Sequence, residues 1–290
     1  MQEITNPKEM RAWSRGERVR GRRIGFVPTM GSLHEGHLRL VDRAKERADR
    51  VVLSAFVNPL QFGPREDFAH YPRDPKRDHD LAQQRAVDCL FVPDQSVVYP
   101  EEPLVRVSPG PMADTLEGAA RPGHFGGVLT VVAKLFHLVE PDIAVFGRKD
   151  FQQAMLVRRM AADLDFAPEI DIAPTVRELD GLALSSRNTY LQGDDRRSAL
   201  ALSRALRAVE QAWRGGEPDP AALARRGLEV LRVPGVSPEY LALVDERLRP
   251  VARVDARTVV VVAARVGTTR LIDNVVLGEG IGNDISVRGS

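Results

Sequence analysis

Cysteine and lysine are scarce in this 290-residue chain, and it has almost no net charge. Each of these shortages removes a class of explanation. The single cysteine, Cys89, excludes an intrachain disulfide framework and fits a reducing cytoplasm. It lies in Asp88-Cys-Leu-Phe-Val92, which reads as a buried strand, so its role is packing and not nucleophilic attack. The 41 basic and 40 acidic side chains leave a formal charge of +1, so neither nucleic acid nor an anionic membrane is expected as the main partner. Five of the basic residues are lysines (Lys8, Lys45, Lys76, Lys134 and Lys149), the remainder arginines. No apolar run approaches a membrane span, and Met1 to Arg23 is charged and lacks the core of a signal peptide, so a cytoplasmic location is expected. There are no internal repeats. The 43% hydrophobic content fits a soluble globular protein of one large or two modest domains.

What is present centres on Val27-Pro-Thr-Met-Gly-Ser-Leu-His-Glu-Gly-His-Leu38. Ile24 to Val27 has the apolar character of a buried strand, and Pro28 ends it. Gly31 and Gly36 allow close backbone approach, and Leu38, Leu40, Val41 and Ala44 then recur at helical spacing. The order strand, glycine-bearing loop, helix predicts an anion site, because the helix start offers free N–H groups and the positive end of its dipole. His34 and His37, three residues apart, can both face that anion, donate to phosphate oxygens and stabilise charge as a phosphorus centre is attacked. A metal half-site is the rival reading, but His-Glu-Gly-His lacks the spacing of the helical zinc-protease motif and no nearby Cys or His supplies a third ligand. A purely structural pair is the other.

The remainder alternates in the manner of an α/β fold. Val51 to Val57 is a near-continuous apolar run, as in a parallel strand covered on both faces. At its carboxyl end Gln61 stands among apolar neighbours at the rim of a pocket. Pro75 to Ala86 reads as a helix, Cys89 to Val92 as a third strand, and Val97 to Arg121 as a proline-broken loop. Val128 to Val139 is a buried helix, and Ile143 to Phe146 is a fourth strand. Gly147-Arg148-Lys149-Asp150 follows at its carboxyl end, before a helix from Phe151 to Leu164. This junction repeats the logic of the first. Lys149 can reach a nucleotide phosphate, and Asp150 can accept from a ribose hydroxyl or cap the helix. A solvated lysine is the bland alternative. Gln153, on the helix's first turn, is either a partner of Gln61 across the pocket or an ordinary exposed residue. After a strand from Glu169 to Ala173, Leu184-Ser185-Ser186-Arg187 gathers two hydroxyls and a guanidinium that can wrap phosphate oxygens, or simply form a turn. From about Val176 the pattern becomes α+β. Helices run from Ala199 and from Ala221 to Leu231, the latter opened by Asp219 or Pro220. Strands at Tyr240 to Val244, Thr258 to Ala264 and Thr269 to Val276 are expected to pair antiparallel. Residues 278–290 read as a disordered tail.

Taken in order, Pro28-Thr-Met-Gly-Ser-Leu-His-Glu-Gly-His37, Phe56-Val-Asn-Pro-Leu-Gln-Phe-Gly63, Arg121-Pro-Gly-His-Phe125, Phe146-Gly-Arg-Lys-Asp-Phe-Gln-Gln153, Ser185-Ser-Arg-Asn188 and Ala263 to Asn274 make the chain resemble the pantothenate synthetase family from about residue 4 to 277. The resemblance implies the nucleotidyltransferase superfamily with a His-x-Gly-His signature. It implies a Rossmann-like parallel-sheet domain, residues 1–175, a smaller α+β lid domain, residues 176–277, and a homodimer. It implies ATP-dependent joining of (R)-pantoate to β-alanine through a pantoyl adenylate, with Mg²⁺ accompanying ATP and no tightly bound organic cofactor. Carried onto this chain, Met30, Gly31, Ser32, Leu33, His34, Glu35, Gly36 and His37 line the ATP site together with Gly147, Arg148, Lys149, Asp150, Val176, Leu184, Ser185, Ser186 and Arg187. His37, His34 and Lys149 are catalytic, Gln61 and Gln153 hold pantoate, β-alanine enters near Gln61, and Asp78 lies near the metal. One departure stands out, since the family usually has an acidic residue where this chain has Arg148, a local change of two charge units. Another adenylyl- or cytidylyltransferase, or a non-catalytic nucleotide- or metal-binding protein, is the alternative.

Overall fold

A computed structural model describes residues 1–64 and 66–287. The chain divides into two compact units, Met1–Gly147 with Gln152–Ala173, and Arg148–Phe151 with the chain from Pro174 onward.

The first unit is built on a six-stranded parallel sheet: β1 (Gln2–Ile4), β2 (Ile24–Thr29), β3 (Arg50–Ala55), β4 (Cys89–Phe91), β5 (Ile143–Gly147) and β6 (Glu169–Ala173), in the order β1-β4-β3-β2-β5-β6. Strands this rich in Val, Ile, Leu and Phe need cover on both faces, and Phe26, Val27, Leu53, Leu90, Phe91 and Val145 are all essentially inaccessible. From β2 the chain steps outward through β3 to β4, then returns to the other side of β2 for β5 and β6. The direction reverses between β2 and β5, which is where open parallel sheets present a crevice at their carboxyl ends. Local chemistry starts the helices on cue. Asn6 and Asp74 each accept a backbone N–H ahead of a proline at the first helical position, opening Pro7–Val19 and Pro75–Gln84. Cys89 is wholly buried in β4, and burial pushes its thiol up to about 12, which agrees with a packing role.

Several elements depart from the sequence-based expectation. β1 and the helix Pro7–Val19 occupy a stretch that reads as merely charged, because β1 is only three residues long and becomes a strand by pairing with Cys89 to Phe91. The buried helix begins at His124, not Val128, and ends at Val139.

The second unit contains a three-stranded antiparallel sheet, β8 (Val236–Val244), β9 (Val259–Val266) and β10 (Thr269–Val276), packed on the helices Leu200–Arg214 and Pro220–Val230 around Leu202, Leu206, Val209, Leu223, Val260 and Val262. The prediction of a disordered tail from residue 278 is corrected for its described part. The short helix Ile281–Asn283 leads into β11 (Ile285–Val287), which pairs in parallel with β7 (Val176–Glu178). A three-residue strand is invisible to periodicity, and a partner more than a hundred residues upstream creates it. Residues 288–290 of the expected tail lie outside the described residues. No helix among the described residues is long and apolar enough to cross a membrane.

Candidate active site

In the first unit, the loop that follows β2 is held from behind. Gly31 has a positive φ of 77° and Ser32 one of 51°, and a Cβ on Gly31 would come within 2.8 Å of an Asp78 oxygen. Asp78 grips the loop through both carboxylate oxygens, accepting from the Ser32 N–H at 2.8 Å and the Leu33 N–H at 2.7 Å. Burial raises the pKa of this carboxyl, against the two donors that favour its charged form. Asp78, expected near a metal, holds the loop's backbone with one N–H on each oxygen. Among the described residues, no three His, Cys, Asp or Glu side chains assemble to hold a metal ion.

The helix Glu35–Lys45 then starts with the two imidazoles. The Gly36 N–H donates to His34 Nδ1 at 3.1 Å, and the His34 N–H points to His37 Nδ1 at 3.4 Å, so the pair caps the helix reciprocally. The rings lie 4.0 Å apart, centroid to centroid. With each Nδ1 accepting, the neutral tautomer carries its proton on Nε2, which makes both rings Nε2–H donors at the positive end of a helix beside the switch point. The expectation of open N–H groups at this turn is corrected in part. Ser32, Leu33 and Gly36 donate inside the protein, so the side chains take over as donors. Glu35 pairs with Arg39 and Arg85 and so braces the helix.

Gln61 is 7% exposed and tightly held. Its amide oxygen accepts from Asn58 Nδ2 at 3.0 Å and its amide nitrogen approaches Met30 Sδ at 3.1 Å, tying it to the loop after β2. Asn58 also donates to the Gly127 carbonyl at 3.1 Å and accepts from the Tyr99 hydroxyl at 3.0 Å. Burial raises Tyr99 to about 12, so its hydroxyl keeps its proton. Behind the Gln61 carbonyl stands His124, whose Nδ1 lies 2.8 Å from it while Arg121 Nη1 lies 3.0 Å from Nε2. Arg121 is in turn clamped by Glu66. Sequence reasoning assigned no role to Asn58, Tyr99, Arg121 or His124. The signal was Arg121-Pro-Gly-His124 ahead of Gly126-Gly127: a Cβ on Gly127 would sit 2.1 Å from the Leu60 carbonyl oxygen, so the buried helix needs glycine to reach the Gln61 turn. Gln153, half-buried on the first turn of Phe151–Asp163, makes no side-chain hydrogen bond among the described residues.

Burial, with the neighbouring Arg121 cation, depresses His124 to about 4. An ordinary histidine titrates near about 6.5, so the unfolded chain takes up this proton first. The stability supplied by neutral His124 is whole above that value and drains away as pH falls to about 4, by something on the order of 3 kcal/mol. Urea midpoints measured across this window should drop more steeply for the parent than for His124→Gln; parallel curves would deny that His124 is held neutral.

The second unit carries the other expected residues. Arg148–Asp150 form a single 3-10 turn. The Arg148 side chain, expected at ATP, is instead buried against Glu279 and against Asp284 at 3.2 Å. Lys149 Nζ lies 3.5 Å from Asp150 Oδ1, a loose contact between neighbours. Val176 and Leu184 are brought side by side, the Leu184 N–H donating to the Val176 carbonyl at 2.9 Å. Ser185 then caps the turn Ser186–Tyr190 by accepting from the Arg187 N–H at 3.3 Å. The structure therefore groups Met30, His34, His37 and Gln61 in the first unit, and Lys149, Val176 and Ser185 to Arg187 in the second.

Comparison with known proteins accords with this geometry. The family model for pantoate-beta-alanine ligase matches residues 2–276. The pantothenate synthetase of Pelotomaculum thermopropionicum is 49% identical over 273 residues, 93% of this chain and 97% of the relative. The crystal structure of pantothenate synthetase from Thermus thermophilus superposes with a TM-score of 0.90 at 48% identity, covering 96% of this chain and 99% of that one. The pantoate-beta-alanine ligase of Francisella tularensis, solved with beta-gamma ATP and beta-alanine, gives a TM-score of 0.81 at 33% identity over 97% of this chain and 99% of that one. With its motifs at the carboxyl ends of β2, β3 and β5, the chain belongs to the pantoate-β-alanine ligase family.

Proposed function

We propose that this protein condenses (R)-pantoate with β-alanine at the expense of ATP, through a pantoyl adenylate. The observation that carries this reading is the closely paired imidazoles at the helix start beside the sheet's switch point, in a chain that matches the pantoate-β-alanine ligase family across residues 2–276. A carboxylate is a poor acyl donor and must be activated. Its oxygen attacks the α-phosphorus of ATP, the bond to the bridging oxygen breaks and pyrophosphate leaves; the β-alanine amine then attacks the acyl carbon, expelling AMP. The chain's task is to align the reactants and neutralise charge on phosphorus. His34 and His37 donate through Nε2–H, and Lys149 supplies a compact cation. A Mg²⁺ ion accompanying ATP would be held mainly by the nucleotide's phosphates and its own waters and would help neutralise their charge. Gly147, Lys149, Asp150, Val176 and Leu184 to Arg187 bind the nucleotide, and residues 176–277 act as the lid. Gln61 and Gln153 hold pantoate, with β-alanine entering near Gln61. In the same reading the protein is a cytoplasmic homodimer.

An acyl-adenylate route requires ATP and pantoate to react before any amine is present. Labelled pyrophosphate should therefore exchange into ATP with pantoate and Mg²⁺ alone. A nucleotidyltransferase for another acceptor gives no pantoate-dependent exchange, and a binding protein gives none at all. No exchange and no pantothenate from pure folded protein would overturn the reading.

Gln61 and Gln153 should matter for the acid. A site built to bond hydroxyls penalises the loss of a partner group strongly. Replacing either by Ala should raise the KM for pantoate about tenfold or more while leaving that for ATP nearly unchanged. The reverse pattern in steady-state kinetics would remove them from the pantoate site.

A further inference from the structure

The tail of the second unit converges on the turn that carries Lys149. Arg177, 1% exposed, is the hub. Its guanidinium makes a bidentate pair with Asp273 at 2.6 and 2.9 Å, reaches Asp284 Oδ2 through Nε at 2.7 Å, and donates to the carbonyls of Gly181 and Asn274. The other oxygen of Asp284 accepts from Arg148 Nη2 at 3.2 Å, and Glu279 takes Arg148 Nη1. Asn274 divides its two amide hydrogens between consecutive carbonyls of the same turn, those of Arg148 and Lys149, each at 2.9 Å. Its own oxygen has no hydrogen-bond partner among the described residues, so the polar work of this side chain is directed at the turn.

We propose that residues 278–287 are a clasp that fixes the Arg148–Asp150 turn and thereby sets the position of the Lys149 ammonium, with Arg148, Asn274 and Asp284 as positioning residues. The inference rests on the reading of Lys149 as the phosphate-facing cation. β11 is too short to hold itself in place, since its three residues make the whole of its pairing with β7, in register Ile285 to Val176, Ser286 to Arg177 and Val287 to Glu178. That register brings Asp284 beside both arginines, and the Ile285 N–H donates to the Thr175 carbonyl at 3.0 Å. Ile281, buried in the core of the unit with its N–H donating to Glu210 at 3.0 Å, anchors the segment's start, and the carboxylates of Glu279 and Asp284 tie it to the arginines. The charges also account for arginine at position 148. Arg148 and Arg177 face Asp273, Glu279 and Asp284, two cations among three carboxylates. An acidic residue at 148 would leave Arg177 alone against four and repel the segment that now clasps the turn. Removing Asp284 has the opposite fault, leaving two adjacent guanidiniums without the carboxylate between them.

The test uses the full chain carrying Asp284→Asn, Glu279→Gln or both, each made with and without Lys149→Ala, alongside Asp284→Glu. Glu279 is half-exposed, so its amide variant folds even if Asp284→Asn proves fragile. In the parent background kcat should fall about tenfold, as expected for a misplaced charge, with the pantoate KM unchanged and amide hydrogens of residues 147–151 exchanging faster. Asp284→Glu should recover most of the rate. In the Lys149→Ala background the clasp variants should cost nothing further, which a merely structural role would not give. Equal losses in both backgrounds, or no loss where Lys149→Ala alone is crippled, overturn the clasp. Near-wild-type turnover by Lys149→Ala overturns both readings, and that variant's own rate tells the two failures apart.

Discussion

Lys149→Ala should lose about 10²-fold or more in kcat, because one preorganised charge aimed at the transition state is worth about 3 kcal/mol. The side chain is suited to such a change without collateral damage. The acid it meets is the adjacent Asp150 at 3.5 Å, and the turn that bears it is held through backbone carbonyls by Asn274, which the substitution leaves alone. The circular dichroism spectrum and thermal midpoint should be unchanged. Saturating ATP should not restore the rate, since a residue that binds substrate and transition state equally would raise KM and spare kcat. Turnover near that of the parent would show that Lys149 is a solvated surface cation.

His37→Ala should suppress pantoate-dependent exchange of pyrophosphate into ATP, by about 10²- to 10³-fold if the imidazole donates to the α-phosphoryl oxygens as charge builds there. The substitution also removes the Nδ1 that faces the His34 N–H, so a loss of helix capping must be separated from a loss of chemistry. His37→Gln separates them. A glutamine at the third helical position reaches back to the capping residue's N–H and restores the cap, while the ring and its Nε2–H are gone. Both variants should be inactive in exchange, and only the alanine variant should show a lowered melting temperature. Exchange retained in either, with pantothenate synthesis lost, would move His37 to the amine-attack step.

These expectations draw unequally on sequence and tertiary structure. The order strand, glycine loop and helix around His34 and His37 could be read directly, because strand and helix periods and turn residues act over a few neighbours. The carboxyl-end position of Gln61 and Lys149 followed from the same local patterns, and the α/β class with a separate antiparallel sheet followed from their succession. What local pattern could not carry was the identity of distant partners. Asp78 sits on a helix 45 or 46 residues from the loop it grips, and nothing in its neighbourhood distinguishes a carboxylate that bonds backbone from one that faces a metal. Arg121 and His124 read as loop residues until the fold set them behind the Gln61 carbonyl, 60 and 63 residues upstream. Arg148 is the clearest case. Read along the chain it is a cation beside Lys149 that would alter a nucleotide site, whereas in the fold it meets Asp284, 136 residues away, in a segment whose polar and glycine-rich composition reads as disorder. The chain alone settled periods, turns and the chemical inventory of the site, since these depend on contacts within a few residues. Which carboxylate neutralises which guanidinium, and which short stretch becomes a strand, were decided only by tertiary structure, because desolvation and pairing across the fold determine whether a buried charge is tolerated.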